Sequence, residues 1–180
     1  TRILSSAASD VYKRQLKDRS IQNLLDLGTG AGRVLRTIAP FVVKGTGIDN
    51  SLEMLSIARA RLDQDGIKNC QVRVGDMYRL PFKQNSFDLI TINSLLRYAE
   101  EPKKVIAEAA RVLEQKGALL IVDLAAHDLS ELRDEYGHSW LGFSEAEMLE
   151  MLSEENLTVA RVKHIDGQKL NVCIWLASGS

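Results

Sequence analysis

Only two cysteines occur in the 180 residues, Cys70 and Cys173, and neither has another cysteine nearby. That excludes a CxxC zinc site or redox pair. Both lie in apolar, strand-like stretches, which suits buried structural thiols in a reducing cytoplasm. Excess positive charge is also missing. Lys and Arg number 23 against 24 Asp and Glu, for a net charge of −1. A nucleic-acid surface ordinarily leaves a basic excess, so the balance favours a small-molecule or protein partner, with no nucleic acid for this chain. No run reaches the ~20 apolar residues of a membrane span, and no secretory apolar segment follows the start. Repeats and low-complexity tracts are absent beyond residue 20. The composition, 45% hydrophobic and 26% charged, is that of an ordinary globular domain.

Residues 1–20 read as a non-core segment and residues 21–180 as one domain. Within the first stretch, SSAASDVYKRQ resembles translated sequencing-adapter sequence, which would make the chain a fragment. The alternative is a native helix from about Asp10 to Asp18 packed on the core.

From Ile21 the pattern becomes regular. Asn23 to Leu27 is a buried strand ending in a Gly-rich turn. Ala31 to Ala39 has helical spacing and stops at Pro40. Val42 to Ile48 is a second strand. Asn50 or Ser51 caps a helix running to about Asp65, with Glu53 placed to close a capping box on Asn50 and Gly66 at its end. Cys70 to Val74 and Phe87 to Ile92 are further strands. Pro102 to Leu113 is an amphipathic helix closed by Lys116 and Gly117, and Ala118 to Asp123 is the fifth strand. Ser144 caps a helix spanning Phe143 to Glu155. Leu157 to Ile165 and Lys169 to Leu176 form a terminal antiparallel hairpin turning at Asp166-Gly167. Strands alternating with helices imply an α/β fold: a mostly parallel seven-stranded sheet with helices on both faces. Ligands of such sheets bind just beyond the carboxyl ends of the strands.

Three acids fall at such positions. Asp26-Leu27-Gly28-Thr29-Gly30-Ala31-Gly32 joins a strand to a helix. Its glycines allow a sharp turn and a close approach of ligand to backbone, and the helix start offers N–H groups to an anion. The dinucleotide fingerprint GxGxxG would place its third glycine at position 33, where Arg33 stands. Asp49 closes the second strand about twenty residues beyond Gly28, where an acid accepts hydrogen bonds from ribose hydroxyls. Gly75-Asp76-Met77 follows the third strand. One turn beyond Asp49, Met54 is either an adenine contact or a core methionine. Each acid alone is unremarkable, since turns and caps favour aspartate. Three of them after three successive strands, in the order a nucleoside needs, are a stronger signal.

This arrangement resembles motif I and the following motifs of class I S-adenosylmethionine-dependent methyltransferases. Leu80-Pro81-Phe82 with Ser86-Phe87-Asp88-Leu89-Ile90, and Ala110-Arg111-Val112-Leu113 before Gly117, resemble segments of the Methyltransf_11-like group. Gln115-Lys116 replaces that group's Pro-Gly turn. Asp123 to His127 and His138 to Phe143 look like the methyltransferase half of proteins fused to an arsenic-repressor-type winged helix, a resemblance that implies DNA as a partner only through an upstream domain. The resemblance covers about 155 residues. It implies a Rossmann-like fold and S-adenosylmethionine as cofactor. The binding residues it implies are Asp26, Gly28, Thr29, Gly30, Gly32, Asp49, Asn50, Met54, Gly75, Asp76, Met77 and Asn93. Asp76 would contact the adenine amino group, and the amide that follows it a ring nitrogen.

Methyl transfer from a sulfonium is an in-line displacement that rests largely on positioning. A base is needed only when the acceptor must lose a proton, so no catalytic signature is obligatory. Asn93 and Ser94 follow the fourth strand and either line the acceptor pocket or serve the turn. Tyr98, His127 and His138 are the other polar groups available to an acceptor, or else structural residues. The expected activity is methylation of a small molecule. The alternative is a module that senses S-adenosylmethionine or S-adenosylhomocysteine for a fused regulator. An NAD-dependent oxidoreductase is the third reading, weakened by Arg33.

Overall fold

The computed structural model describes residues 20–179. The adapter-like stretch and the helix expected over Asp10 to Asp18 lie outside them. The chain runs β1 (Ile21–Leu27), α1 (Arg33–Ile38), β2 (Val42–Asp49), α2 (Leu52–Gln64), β3 (Cys70–Val74) and β4 (Phe87–Asn93). It continues through α3 (Pro102–Val112), β5 (Leu113–Leu124), α4 (Glu131–Tyr136), α5 (Glu145–Glu154), β6 (Leu157–Ile165) and β7 (Val172–Gly179). Short 3-10 turns occupy Ala39–Phe41 and Leu96–Tyr98.

All seven strands form one sheet in the order β3-β2-β1-β4-β5-β7-β6. The first five are parallel to their neighbours, and β7 runs antiparallel between β5 and β6. The chain moves outward from β1 to β3 and then returns to the other side of β1 with β4. The strand order therefore reverses between β1 and β4, which is where sheets of this kind leave a crevice.

Side chains alternate across each central strand, so each strand feeds two cores. Leu25, Leu27, Ile90, Ile92, Leu119 and Ile121 pack against Val105, Ile106, Ala109 and Val112 of α3 and Met148, Met151 and Leu152 of α5. On the other face, Leu24, Leu89, Leu120 and Val122 meet Val34, Leu35 and Ile38 of α1 and Leu55, Ala58 and Leu62 of α2. Each fully buried leucine contributes about 1.5–3 kcal/mol by leaving water. The two family-like segments meet in space. Arg111 of α3 donates to the carbonyls of Phe82 at 2.9 Å and Leu80 at 3.2 Å, while Glu108 accepts the Leu80 N–H at 2.8 Å. The Leu-Pro-Phe loop is thereby held against α3, beside the entrance to β4.

Several local expectations change. The first helix starts at Arg33, because Gly32 is its N-cap and lies in the left-handed region at φ 75°. Ser51, not Asn50, caps α2, accepting the Met54 N–H at 3.2 Å. The capping box is instead at α5, between Ser144 and Glu147. Lys116 and Gly117 do not close α3. β5 begins at Leu113, opposite Phe87, and the register slips before Leu89 meets Ala118. The Gln115-Lys116 replacement thus sits within an irregular strand and not in a turn. The last strand starts at Val172, three residues later than expected, and α4 was not anticipated.

Candidate functional site

The glycine turn after β1 is built on backbone hydrogen bonds to β2. Gly28 and Thr29 both donate to the Ile48 carbonyl, at 2.8 and 3.0 Å, and Gly32 donates to Thr29 at 2.9 Å. The Gly30 N–H donates to Asp49 Oδ2 at 2.8 Å. Four N–H groups of the loop are therefore occupied within the protein, which leaves the turn a poor cradle for a pyrophosphate. Gly28 stands at φ 68°, and a Cβ there would lie 2.8 Å from Leu95. Only glycine fits both the dihedral and the contact. Gly32 likewise has a positive φ, and a Cβ on it would press to 3.1 Å on Ala58 of α2.

A cavity of about 600 Å³ opens at the carboxyl ends of β1 to β4, lined by Gly28, Asp49, Asn50, Gly75, Asp76 and Met77 together with Ile48, Val74, Leu95 and Tyr98. That volume is in the range of small-ligand sites, as is the pattern of apolar walls with a few polar groups. Asp49 is half-buried. Its Oδ1 accepts the Ser51 N–H at 2.9 Å, and its Oδ2 the Gly30 N–H. Each oxygen retains a lone pair for a further donor. Asp76 Oδ1 accepts the Tyr78 N–H at 2.9 Å, and among the described residues no hydrogen bond reaches its Oδ2. Order along the sheet edge is thus Asp76 at β3, Asp49 at β2, Gly28 at β1, then Leu95 and Tyr98 beyond β4.

Half of the residues implied by the resemblance line this space. The others stand apart from it. Asp26 is fully buried behind the glycine turn and accepts the Thr91 hydroxyl at 2.7 Å. Its Oδ2 has no partner. Burial pushes its carboxyl up to about 6; Thr29 and Thr91 pull it down, and Asp49 adds to the rise. The Thr29 hydroxyl lies close enough to act electrostatically but forms no well-aligned hydrogen bond, and it too is buried without a partner. Gly30 and Gly32 shape the loop from outside the cavity. Met54 is 43% exposed on α2, so it is neither a cavity wall nor a core residue.

Asn93 also fails to line the cavity. Its Oδ1 accepts the Ser94 hydroxyl at 3.2 Å. Ser94 adopts φ 57°, uncommon for a residue other than glycine, and donates its N–H to Val122 at 2.7 Å. That kink presents Leu95 to the cavity in place of Asn93. Sequence reasoning missed Ile48, Val74 and Leu95. Their only signal was position, being apolar residues next to strand ends that carry acids or turns. Among the described residues no helix is long and apolar enough to cross a membrane.

Comparison with known proteins gives a consistent match. A family described as a methyltransferase domain matches residues 18–173. "Uncharacterized methyltransferase YcgJ" of Bacillus subtilis is 34% identical over 105 residues, 58% of this chain and 42% of the relative. The demethylmenaquinone methyltransferase of Thermotoga maritima is 36% identical over 130 residues, 68% of this chain and 54% of the relative. The chain thus spans about half the length of the curated relatives it matches. Among solved structures, geranyl diphosphate methyltransferase in complex with SAM superposes with a TM-score of 0.83 at 17% identity, covering 97% of this chain and 85% of that one. At that identity the likeness speaks for the Rossmann-like class I methyltransferase fold alone.

Proposed function

The chain belongs to the methyltransferase domain family, and we propose that it transfers the methyl group of S-adenosylmethionine to a small-molecule acceptor in a reducing cytoplasm. The observation that carries the cofactor is one cavity in which Asp76, Asp49 and Gly28 succeed one another across β3, β2 and β1. Asp49 has one free lone pair on each oxygen for the two ribose hydroxyls. The second carboxylate oxygen of Asp76 suits the adenine amino group, with Val74 and Met77 as apolar walls. The turn at Gly28, Leu95 and Tyr98 is left for the methionine end. The resident groups fit the cofactor in size, polarity and order.

When bound, S-adenosylmethionine supplies an electrophilic methyl group on a positively charged sulfur. The protein's part is positioning. Asp49 and the loop fixed to it hold the nucleoside, and the apolar walls exclude water. Leu95 and Tyr98 border the path by which an acceptor approaches. Support for the reading also comes from the turn itself, whose occupied amides disfavour a dinucleotide.

The test is calorimetry with S-adenosylmethionine and S-adenosylhomocysteine, followed by incubation of the full-length protein with methyl-labelled cofactor and a metabolite extract. Binding of both ligands and transfer of label to an extract component is the expected result. Binding with no transfer would defeat the enzyme reading in favour of a sensing module for a fused regulator. No binding of either ligand would defeat both.

A further inference from the structure

Beside Tyr98, at the carboxyl end of β5, lies a polar cluster whose other members do not line the cavity. Asp123, fully buried near the end of β5, accepts Arg97 Nη1 at 2.8 Å. The Arg97 guanidinium carbon lies 5.1 Å from the centre of the Tyr98 ring. The same ring meets the His138 imidazole edge to face at 5.0 Å. The Arg97 carbonyl accepts the N–H groups of Ser139 and Trp140, at 2.8 and 3.0 Å, which fastens the loop bearing His138. The segment after β5 is fastened to that same loop, since His127 N–H donates to Leu141 at 3.0 Å.

Three buried nitrogens of this cluster have no partner: Arg97 Nε, His127 Nε2 and His138 Nδ1. Buried polar atoms are nearly always satisfied, and three exceptions in one place need a reason. Arg97 and His138 are each only 8% exposed. His127 Nδ1 accepts the Leu129 N–H at 3.2 Å, so in the neutral ring the proton sits on Nε2, which is then a donor. The cluster therefore offers two donors, Arg97 Nε and His127 Nε2, beside a third ring nitrogen. Tyr98 alone belongs to both cluster and cavity wall, and it is 43% exposed.

We propose that Tyr98 is a gate between the cofactor cavity and an acceptor subsite formed by Arg97, His127 and His138, and that the subsite takes an acceptor with an acidic hydroxyl, a phenol or an enol. The inference rests on the methyltransferase reading. His138 Nδ1 takes the hydroxyl proton. The two N–H donors hold the oxygen as its negative charge grows. The oxygen lone pair forms the new bond to the methyl carbon, the carbon–sulfur bond breaks, and its electrons stay on sulfur as a neutral thioether. No oxidant or further reactant is needed.

The base must be neutral, and its surroundings keep it so. Burial, then the Arg97 cation, hold His138 below the ordinary histidine range, with Asp123 opposing and His127 adding to the fall. Tyr98 and Tyr136 are the other ionisable groups facing it. His127 is lowered in the same way by burial and Arg97, against Asp128 and Glu131.

The chain has three histidines, which makes the test direct. His164 lies on β6, paired with Glu145, and serves as the internal reference. With histidine-labelled protein saturated with S-adenosylhomocysteine, phenol, catechol and an enolisable 1,3-diketone are titrated while ring signals are followed by NMR. At least one probe should shift His127 and His138 saturably and leave His164 unmoved. With S-adenosylmethionine, that probe should be methylated. His138→Gln should lower turnover at least about a hundredfold and remove the acid limb of the pH profile, with S-adenosylhomocysteine affinity unchanged. His127→Gln should weaken the probe roughly tenfold, giving an independent arm if the first variant does not fold. Bound S-adenosylhomocysteine with no shift from any probe overturns the subsite. So does a His138→Gln protein with wild-type turnover and pH profile. Failure to bind S-adenosylhomocysteine would instead overturn the cofactor reading beneath it.

Discussion

Asp49 and Gly30 are joined by a 2.8 Å hydrogen bond from the Gly30 amide to the Asp49 carboxylate. The acid proposed to hold the ribose is thus also a strut of the glycine turn, so on that reading ligand affinity and loop order share one side chain.

Two substitutions separate those roles. Asp49→Ala removes a charged acceptor, worth about 1.5–3 kcal/mol, or roughly ten- to a hundredfold in Kd. Asp49→Asn keeps an oxygen for one of the two backbone N–H groups but loses the charge and one acceptor. Calorimetry with S-adenosylhomocysteine should rank wild type above Asn above Ala. Equal affinity for all three would mean that the nucleoside is held elsewhere.

Asp26 makes stability depend on pH. Its carboxyl is raised from an ordinary value of 3.8 to about 6 by burial, so the folded state favours the protonated form. The stabilising contribution is complete below about pH 4 and is lost as pH rises through about 6, totalling on the order of 3 kcal/mol. Asp26→Asn should remove that loss, since the amide is neutral throughout. Urea unfolding at pH 5 and pH 8 should show the variant gaining on wild type at the higher pH. A difference independent of pH would mean that Asp26 is not desolvated as its burial implies.

The strands with plain alternation were legible in the sequence. Cys70–Val74 coincides with β3, where Val72 is buried between exposed Gln71 and Arg73, and Leu157–Ile165 coincides with β6 although a register shift between Val159 and Arg161 breaks its alternation. Lys116-Gly117 misled because it has the chemistry of a helix C-terminus, whereas pairing of Leu113 with Phe87 starts the strand earlier. The helix Glu131–Tyr136 has no buried residue and hence no apolar stripe to read. Of the three acids marked by strand ends, Asp49 and Asp76 line the cavity, while Asp26 is buried behind the turn. Leu95 could not be foreseen as a cavity wall, because nothing local announces the positive φ of Ser94. The Arg97–Asp123 pair joins residues from two different strand ends, and only the folded sheet brings them together.

That pair gives a third prediction. Asp123 is fully buried and also accepts the Leu124 N–H at 2.8 Å. Asp123→Ala would leave the Arg97 cation buried without its carboxylate, and breaking a buried pair from one side costs about 3–5 kcal/mol. Pairing Asp123→Leu with Arg97→Met should recover most of that loss. Thermal unfolding of the single and double variants measures it. Equal destabilisation in both would show that packing, and not the stranded charge, sets the cost.

The dinucleotide mode of binding is disfavoured in this turn. In that mode a pyrophosphate rests on the amides of the glycine turn, and a third glycine lets the helix pack close. Here the Gly28 and Thr29 amides are bonded to Ile48, the Gly30 amide to Asp49 and the Gly32 amide to Thr29. The position of the third glycine holds Arg33, which is exposed. A pyrophosphate would have to displace these internal bonds and would meet a long side chain at the helix start. Arg33 offers a positive charge, yet an exposed cation contributes little beside the lost backbone contacts. NADH fluorescence should therefore show no saturable enhancement up to about 1 mM, a limit equivalent to roughly 4 kcal/mol of binding. S-adenosylhomocysteine should bind well below that concentration in the same buffer. Saturable enhancement that NAD competes away, and that S-adenosylhomocysteine does not, would sink the assignment of this cavity to an adenosyl sulfonium.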